Sequence, residues 1–597
     1  MTLSKQKNEK YYSLFAKLLF LVVFFYLFLR AYYVEPIHDE VATFFHYIET
    51  GVFWGENALL DANNHLLNSY LSHKLFLWFG PEFLFLRLPN VLSFALFFWA
   101  IFQLVQPVKN ILQRAVLLVA LVGIPFILEY FAYTRGYGIS LAFFFAAIVF
   151  LKRFSDSFSR AHLLMAYLLL VIAVYANLTY LVSCILAIGF VLVVQLINLK
   201  ERNWTKQVTI LLFHGLLLNT ILPAIHFAEE LREGGALYYG SLDGFWEVTG
   251  KTLTNYTLFF DGSWFKWVLL VLGIACIIVL IFLWAEKKST LFFKKGETLI
   301  AWFLFGHIAA ILFLAHFRNV NYPEDRVGMY LIPLSILLIA YLLNNWKTPA
   351  KGIYFFVLFP ILFLPRINLN TSVFSPQDRM SNAFFNDVIQ DVKPKSTISV
   401  YPLMRISWAL QDRKQKIKNT VSDLKFFNTA ADIVLTRDVL KHKKSDLDSY
   451  QLLAKDEKSG FLAYKRTKPF VKKIIFDSII NIKPTENEFL SFGNFIIPDS
   501  LRNRKLQIHV EAYVSTNSKI SHANLIYSTI DKDNNPIVYE GWVNRWSFGL
   551  DQNYFLNYNY PIDKFETKDH ELRVYLWNMN KETISIKNGK FELISLE

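Results

Sequence analysis

The chain has 597 residues, 54% of them hydrophobic, 17% aromatic and only 18% charged, with a net charge of +13. The apolar residues come in long blocks, which excludes an ordinary soluble protein and points to a polytopic membrane protein carrying a soluble part. The two cysteines, Cys184 and Cys276, both fall in apolar blocks, so no disulfide framework or thiolate metal site can be built in the soluble part.

In chain order, residues 14–33, "SLFAKLLFLVVFFYLFLRAY", are long enough to span a hydrocarbon core of roughly 30 Å. No small-residue cleavage site follows them, so they read as a retained helix and not a signal peptide. "EPIHDEVATFFHY", residues 35–47, comes next. Val41, Phe44, Phe45, Ile48 and Val52 recur at helical spacing, which predicts an amphipathic helix on the membrane surface over 40–50. Asp39 is then its N-cap with Glu40 in the first turn. Alternatively His38, Asp39 and Glu40 are a chemical group set at the membrane boundary.

"DANNHLLNSYLSHKLFLWFG", residues 61–80, predicts a second interfacial helix through Leu66, Leu67, Tyr70, Leu71, Leu75 and Trp78. Asn63 or Asn64 would cap it, placing His65 in a first turn whose backbone N–H groups favour an anion.

Further apolar blocks lie near 88–106, 112–133, 137–151, 162–177, 179–198, 208–228, 264–284, 298–316, 327–344 and 352–366, giving about eleven spans in all. Pro125, Pro223 and Pro360 are expected to kink or end the runs that contain them.

Lys and Arg concentrate in alternate loops: Lys7 and Lys10, Lys109 and Arg114, Lys152, Arg153 and Arg160, Lys294 and Lys295, then Lys351. The positive-inside rule makes that side cytoplasmic. This bias accounts for most of the net charge, so the chain is not read as a nucleic-acid binder.

The opposite, exterior loops carry the unusual polar residues. "EYFAYTRGYGIS" holds Arg135 and Tyr137; "HFAEELREGGALYYG" holds Arg232 and a Gly234–Gly235 pair suited to a mobile loop; "HFRNVNYPEDRVGMYLIPL" holds Arg326. Arginine at these sites either anchors at the headgroups or binds phosphate with its guanidinium fork. Glu324 and Asp325 read as ordinary helix-start residues.

After residue 366 the apolar blocks stop. Residues 367–466 mix a helical pattern with short apolar runs, a small α/β region. From 467, "KKIIFDSI", "KLQIHVEAYVS", "ANLIYSTID", "PIVYEGWV", "YFLNYNY", "ELRVYLW" and "KFELISL" alternate between turns. Seven or eight such strands predict an antiparallel, jelly-roll-like β-sandwich. Its aromatic residues Trp542, Trp546, Tyr554, Tyr558, Tyr560, Tyr575 and Trp577 either fill a core or stack on sugars.

The ordered set "HDE" after the first span, "NNHLLNSYL", "RLPN" at 87–90, "TRGYG" after the third span and "YPEDR" before a late one resembles the GT-C superfamily of membrane glycosyltransferases. The likeness is to the bacterial relatives of protein O-mannosyltransferases and of the lipid A aminoarabinose transferase, over about residues 10–366. It implies transfer of one sugar from a polyprenyl-phosphate carrier to a glycan, lipid or protein acceptor outside a bacterial inner membrane. The N-terminus is then cytoplasmic and the C-terminal domains periplasmic. It makes Asp39 the general base and Glu40 its neighbour, with His38, Asn64, His65, Arg135, Tyr137, Arg232 and Arg326 binding substrate. Relatives carry a His-Pro-Pro type sequence where this chain has Asn64-His65-Leu66-Leu67. No ligand spacing demands a cofactor, although Asp39, Glu40 and His38 or His65 are residue types that hold a divalent metal. The alternative from another class is a transporter or flippase of a lipid-linked sugar, whose ionisable residues would lie at mid-membrane.

Overall fold

The structure is a computed structural model. It describes residues 3–597 apart from 56–57, 198–203, 261, 287–291, 347–348, 418–421, 424–426, 439 and 441–443. The chain forms two compact units, one of Met1–Val34 with His46–Phe374, the other of Glu35–Phe45 with Ser375–Glu597.

The helices run in chain order as α1 (Leu3–Tyr33), α2 (His38–Thr43), α3 (Leu66–Phe79), α4 (Phe83–Val105), α5 (Ile111–Val122), α6 (Pro125–Phe131), α7 (Gly136–Ser157), α8 (Arg160–Ala176), α9 (Leu181–Ile197), α10 (Trp204–Glu233), α11 (Lys251–Leu258), α12 (Phe265–Glu286), α13 (Gly296–Arg318), α14 (Leu331–Leu343) and α15 (Leu358–Phe363). All but α2 belong to the first unit. Among the described residues eight helices are long and apolar enough to cross a membrane, or nine if the bent pair α5–α6 is one span. This is an integral membrane protein.

Two of the expected spans differ from that picture. Residues 162–177 form α8, of 17 residues, at the short limit for a span. Residues 352–366 are split between 3-10 turns and the six-residue α15, because Pro360 and Pro365 each remove a backbone donor. Proline acts differently elsewhere. Pro125 starts α6 after a 58° bend, where its missing N–H costs nothing, whereas Pro89 and Pro223 lie inside α4 and α10 without ending them.

The basic loops gather at one end of the helical unit. There Arg114 pairs with Glu9 at 3.0 Å, Gln113 Nε2 donates to the Ala350 carbonyl at 2.9 Å and the Lys109 N–H donates to Asn344 at 3.2 Å. At the other end Trp54 meets Glu230, Asn63 meets Arg135, Asp61 meets Tyr238 and Gly240 meets Asn321.

The second unit holds a five-stranded mixed sheet, order β2-β1-β3-β5-β4, built from β1 (Ile398–Val400), β2 (Ser422–Asp423), β3 (Ile433–Arg437), β4 (Tyr450–Asp456) and β5 (Phe461–Arg466). Helices α16 (Asn382–Ile389) and α17 (Pro402–Gln415) contribute Phe384, Phe385 and Trp408 to its core. Eight strands then form two antiparallel four-stranded sheets: β6 (Lys472–Thr485), β7 (Phe489–Ile496), β8 (Leu506–Thr516), β9 (Asn524–Ile530), β10 (Pro536–Val543), β11 (Asn553–Ile562), β12 (Glu571–Trp577) and β13 (Ile584–Leu596). The orders are β10-β9-β12-β7 and β11-β8-β13-β6. The strand not singled out from the sequence is β7.

Strand β8 is buried on both faces from Leu506 to Val510. The α/β region covers its outer face, with Gln507 Nε2 donating to the Lys395 carbonyl at 3.0 Å and Lys395 paired with Glu592 at 2.6 Å. Of the seven aromatic residues considered for sugar stacking, Trp542, Tyr554, Tyr558 and Tyr560 are buried in the sandwich; core packing explains them.

Candidate functional site

Helix α2 starts two residues earlier than its sequence pattern suggests. Ile37 is the N-cap, so Asp39 is the second helical residue and not the cap. Glu40 is fully buried and its carboxylate accepts the Ile37 N–H at 3.2 Å, closing half of a capping box. The helix is also shorter than expected, passing into a π-helical turn at Phe44–Ile48. A π-turn inside a helix often marks a functional position. Within the second unit, Arg545 donates to the Phe45 carbonyl, the Trp546 ring lies 5.9 Å from that of Phe45 and Arg413 sits 6.0 Å over it. His38 and Asp39 remain partly exposed on the first turn.

In the first unit the NNH, RLPN and TRGYG stretches converge on one buried polar node. Asn90 Nδ2 donates to Asn68 Oδ1 at 2.7 Å, and Asn68 Nδ2 donates to the Thr134 carbonyl at 3.1 Å. Ser72 donates to the Leu86 carbonyl at 2.8 Å and meets the Thr134 hydroxyl at 3.0 Å. The Ile139 N–H donates to Asn90 Oδ1 at 3.3 Å, which satisfies an otherwise orphaned donor in the first turns of α7. Arg87 reaches back to the carbonyls of Ala31 and Val34, at 2.9 and 2.7 Å, and fixes the end of α1. Two glycines make this approach possible. A Cβ at Gly136 would collide with the Ala176 carbonyl and stand 2.8 Å from His65 Cβ, while one at Gly138 would stand 2.7 Å from the Tyr130 carbonyl.

His65 is the N-cap of α3, not a first-turn residue as the asparagines suggested. It is buried, and its Nδ1–H donates to the Ala176 carbonyl at 3.0 Å, so a neutral ring presents Nε2 as an acceptor. Its ring lies 4.6 Å from that of Tyr137. Arg135, only 2% exposed, donates to the Asn63 side-chain and main-chain oxygens and lies 5.7 Å over the Tyr137 ring. Asn64 turns away from this group, its amide donating to the Phe53 carbonyl at 2.6 Å and accepting from Ser69 at 3.1 Å.

A second cluster surrounds Arg326. Its guanidinium stacks 4.3 Å over the Tyr239 ring and donates to the Tyr239 hydroxyl at 2.9 Å; that hydroxyl donates in turn to Asp325. Asp325 also lies 3.5 Å from the Arg326 guanidinium, and its N–H donates to Thr252 at 3.0 Å. The Glu324 carboxyl is held above the ordinary range by burial and by Asp325, against the opposing pull of Arg326. Burial likewise pushes up the Tyr239 phenol. Asn321 ties this loop to the carbonyl of Gly240 at 3.1 Å, and Tyr322 bridges Ser241.

Arg232 stands apart. It lies in the last turn of α10, where Glu229 at 2.6 Å and Glu233 at 3.6 Å pair with it. The stretch read as a mobile loop is fastened by Trp54 donating to Glu230 at 2.7 Å and Tyr238 donating to Asp61 at 3.4 Å.

The structure therefore brings together His65, Arg135 and Tyr137, and builds a separate cluster on Arg326. Sequence reasoning gave Asn63 only a capping role and passed over Asn68, Asn90 and Tyr239. The amides at 68 and 90 were detectable as polar side chains within apolar helices, which need partners. Among the described residues no group of three or more His, Cys, Asp or Glu is placed to hold a metal ion.

No protein-family model and no curated protein matches the sequence. Among solved structures, the chain is similar to arabinosyltransferase EmbB from Mycobacterium smegmatis at 11% identity and TM-score 0.37, covering 97% of this chain and 64% of that one, so it spans less than two thirds of that enzyme. It is similar to ArnT from Cupriavidus metallidurans bound to undecaprenyl phosphate at 13% identity and TM-score 0.37, covering 76% of this chain and 98% of that one. It is also similar to the oligosaccharyltransferase AglB from Archaeoglobus fulgidus in complex with an inhibitory peptide and a dolichol-phosphate, at 8% identity and TM-score 0.38, covering 95% of each chain. Likenesses of this size assign neither a family nor an activity to this chain, whose chemistry has to come from its own residues.

Proposed function

We propose that the protein is a GT-C glycosyltransferase that moves a monosaccharide from a polyprenyl-phosphate carrier to an acceptor hydroxyl on the exterior, periplasmic face of a bacterial inner membrane. The observation that carries the reading is the convergence of Asn63, His65, Arg135 and Tyr137 from two loops onto one buried node. A guanidinium held there is oriented for an anion before one arrives.

In this reading the Asp39 carboxylate takes the acceptor's proton as its oxygen attacks the anomeric carbon. The bond between that carbon and the carrier phosphate breaks, and the phosphate departs as a stable anion that needs positive charge and no proton. Arg135 and Arg326 supply that charge. Direct attack inverts the anomeric configuration. Glu40, buried as a cap, orients the turn bearing Asp39. Arg232 is left out because its own helix supplies two carboxylates.

A transporter of lipid-linked sugar would use ionisable residues at mid-membrane. The buried pair Arg30–Glu129 lies instead at the end of α1, and its other partners are fixed groups of residues 368–373, which reads as a clamp.

The test is mass spectrometry of envelope glycans from a strain lacking the protein, complemented with wild type or Asp39→Asn. Loss of one sugar, restored by wild type alone, supports transfer. Restoration by Asp39→Asn removes the general base, and accumulation of a lipid-linked sugar on the cytoplasmic leaflet supports flipping.

A further inference from the structure

At the basic end of the helical unit, the ends of α4, α7, α13 and α14 enclose a part-open cavity of about 110 Å³ lined by Gln103, Lys152, Arg153, Gly296, Leu299 and Tyr341. That exceeds the roughly 10–15 Å³ a cavity needs to hold one water. Arg153 is held by Gln103, to which it donates at 3.2 Å, and by the rings of Trp99 and Phe150, 5.6 and 5.2 Å away. Lys152 pairs with Asp156 at 2.5 Å, and both remain partly exposed.

The opposite wall is the start of α13. Its N-cap, Lys295, makes no side-chain cap bond, so the first-turn N–H groups and the positive end of the helix dipole face this end of the bundle. Lys294 and Lys295 precede it, and Glu297 in its first turn and Asp156 are the nearby carboxylates. Leu104, Val149, Leu299 and Ile300 form an apolar wall beneath the charges.

We propose that this cavity binds the phosphate of an anionic phospholipid of the leaflet at that end. Two side-chain cations and a helix start complement the headgroup, and the apolar wall continues toward the acyl chains. None of these residues takes part in the proposed transfer reaction, so this inference stands or falls separately from it.

The test is native mass spectrometry of the delipidated full-length protein in detergent, titrated with phosphatidylglycerol, phosphatidylcholine or inorganic phosphate. Wild type is expected to retain one phosphatidylglycerol on the order of tenfold more strongly than phosphatidylcholine, and K152Q/R153Q to lose that margin. The charge-preserving K152R/R153K keeps the margin, which separates loss of charge from misfolding, and K109Q/K351Q, outside the cavity, keeps it too. Equal retention of the two lipids by wild type, full retention by K152Q/R153Q, or displacement of the lipid by millimolar inorganic phosphate would overturn the proposal.

Discussion

Arg30 donates to Glu129 at 2.5 Å between side chains that are 1% and 3% exposed. The pair joins the end of α1 to α6. It also holds the segment after α15, because Arg30 donates to the Asn368 carbonyl at 2.7 Å and Glu129 accepts the Val373 N–H at 2.6 Å. Removing one partner strands a charge away from water, which costs about 3–5 kcal/mol. Arg30→Ala is expected to lower the thermal midpoint in detergent by several degrees. Replacing both with apolar residues, R30M/E129L, is expected to recover most of that loss, and the two midpoints measured by tryptophan fluorescence check it.

Gly136→Ala places a methyl against the Ala176 carbonyl and His65 Cβ. Overpacking of this kind costs about 1–3 kcal/mol. Because the displaced atoms belong to the node carrying Arg135 and His65, donor turnover is expected to fall more than stability does. Gly273→Ala, in α12 with open space around its Cβ position, is the control, and the ratio of turnover to midpoint in the two variants is the readout.

Arg135→Lys keeps the charge but loses the planar guanidinium whose Nη1 donates to both Asn63 oxygens and which lies over the Tyr137 ring. Charged hydrogen bonds are worth about 1.5–3 kcal/mol, so kcat/KM for the lipid-linked donor is expected to fall on the order of 10- to 100-fold, with Arg135→Ala lower still. Tyr239→Phe removes the hydroxyl that links Arg326 to Asp325. Tyr239 acts as a positioning residue, so its loss is expected to raise KM for the donor more than it lowers kcat.

In the second unit, burial and then the neighbouring Lys395 lower the affinity of His509 for a proton. Burial also works against the charged form of Glu592, but Lys395 and Lys590 outweigh it and hold that carboxyl below its ordinary range. For both groups the unfolded chain binds protons more readily than the folded one, so stability is present at high pH. It is lost as pH falls below about 6.5 for the histidine and below about 4.3 for the carboxylate. The thermal midpoint should drop between pH 8 and pH 5.5, and His509→Gln should reduce that drop.

Much of this fold was legible because apolar blocks and alternating strands are local patterns. All seven quoted strand sequences lie in strands of the sandwich, whereas β7, "FLSFGNFI", has a glycine and an asparagine that weaken its pattern. The end of the membrane unit was less legible, because Pro360 and Pro365 break an apolar run that hydropathy reads as continuous. His65, Arg135 and Tyr137 were each visible as polar residues at helix ends. Their meeting depended on Gly136 and Gly138 letting backbones touch, a tertiary fact that no window of sequence contains.

The central claim is the role of the Asp39 carboxylate. Purified wild type and Asp39→Asn, matched for folding and for binding of a polyprenyl-phosphate sugar, should be compared in single-turnover sugar transfer to an acceptor. A lost general base predicts a rate lower by about 10²- to 10⁴-fold with donor binding unchanged; an undiminished rate in the variant would contradict the account.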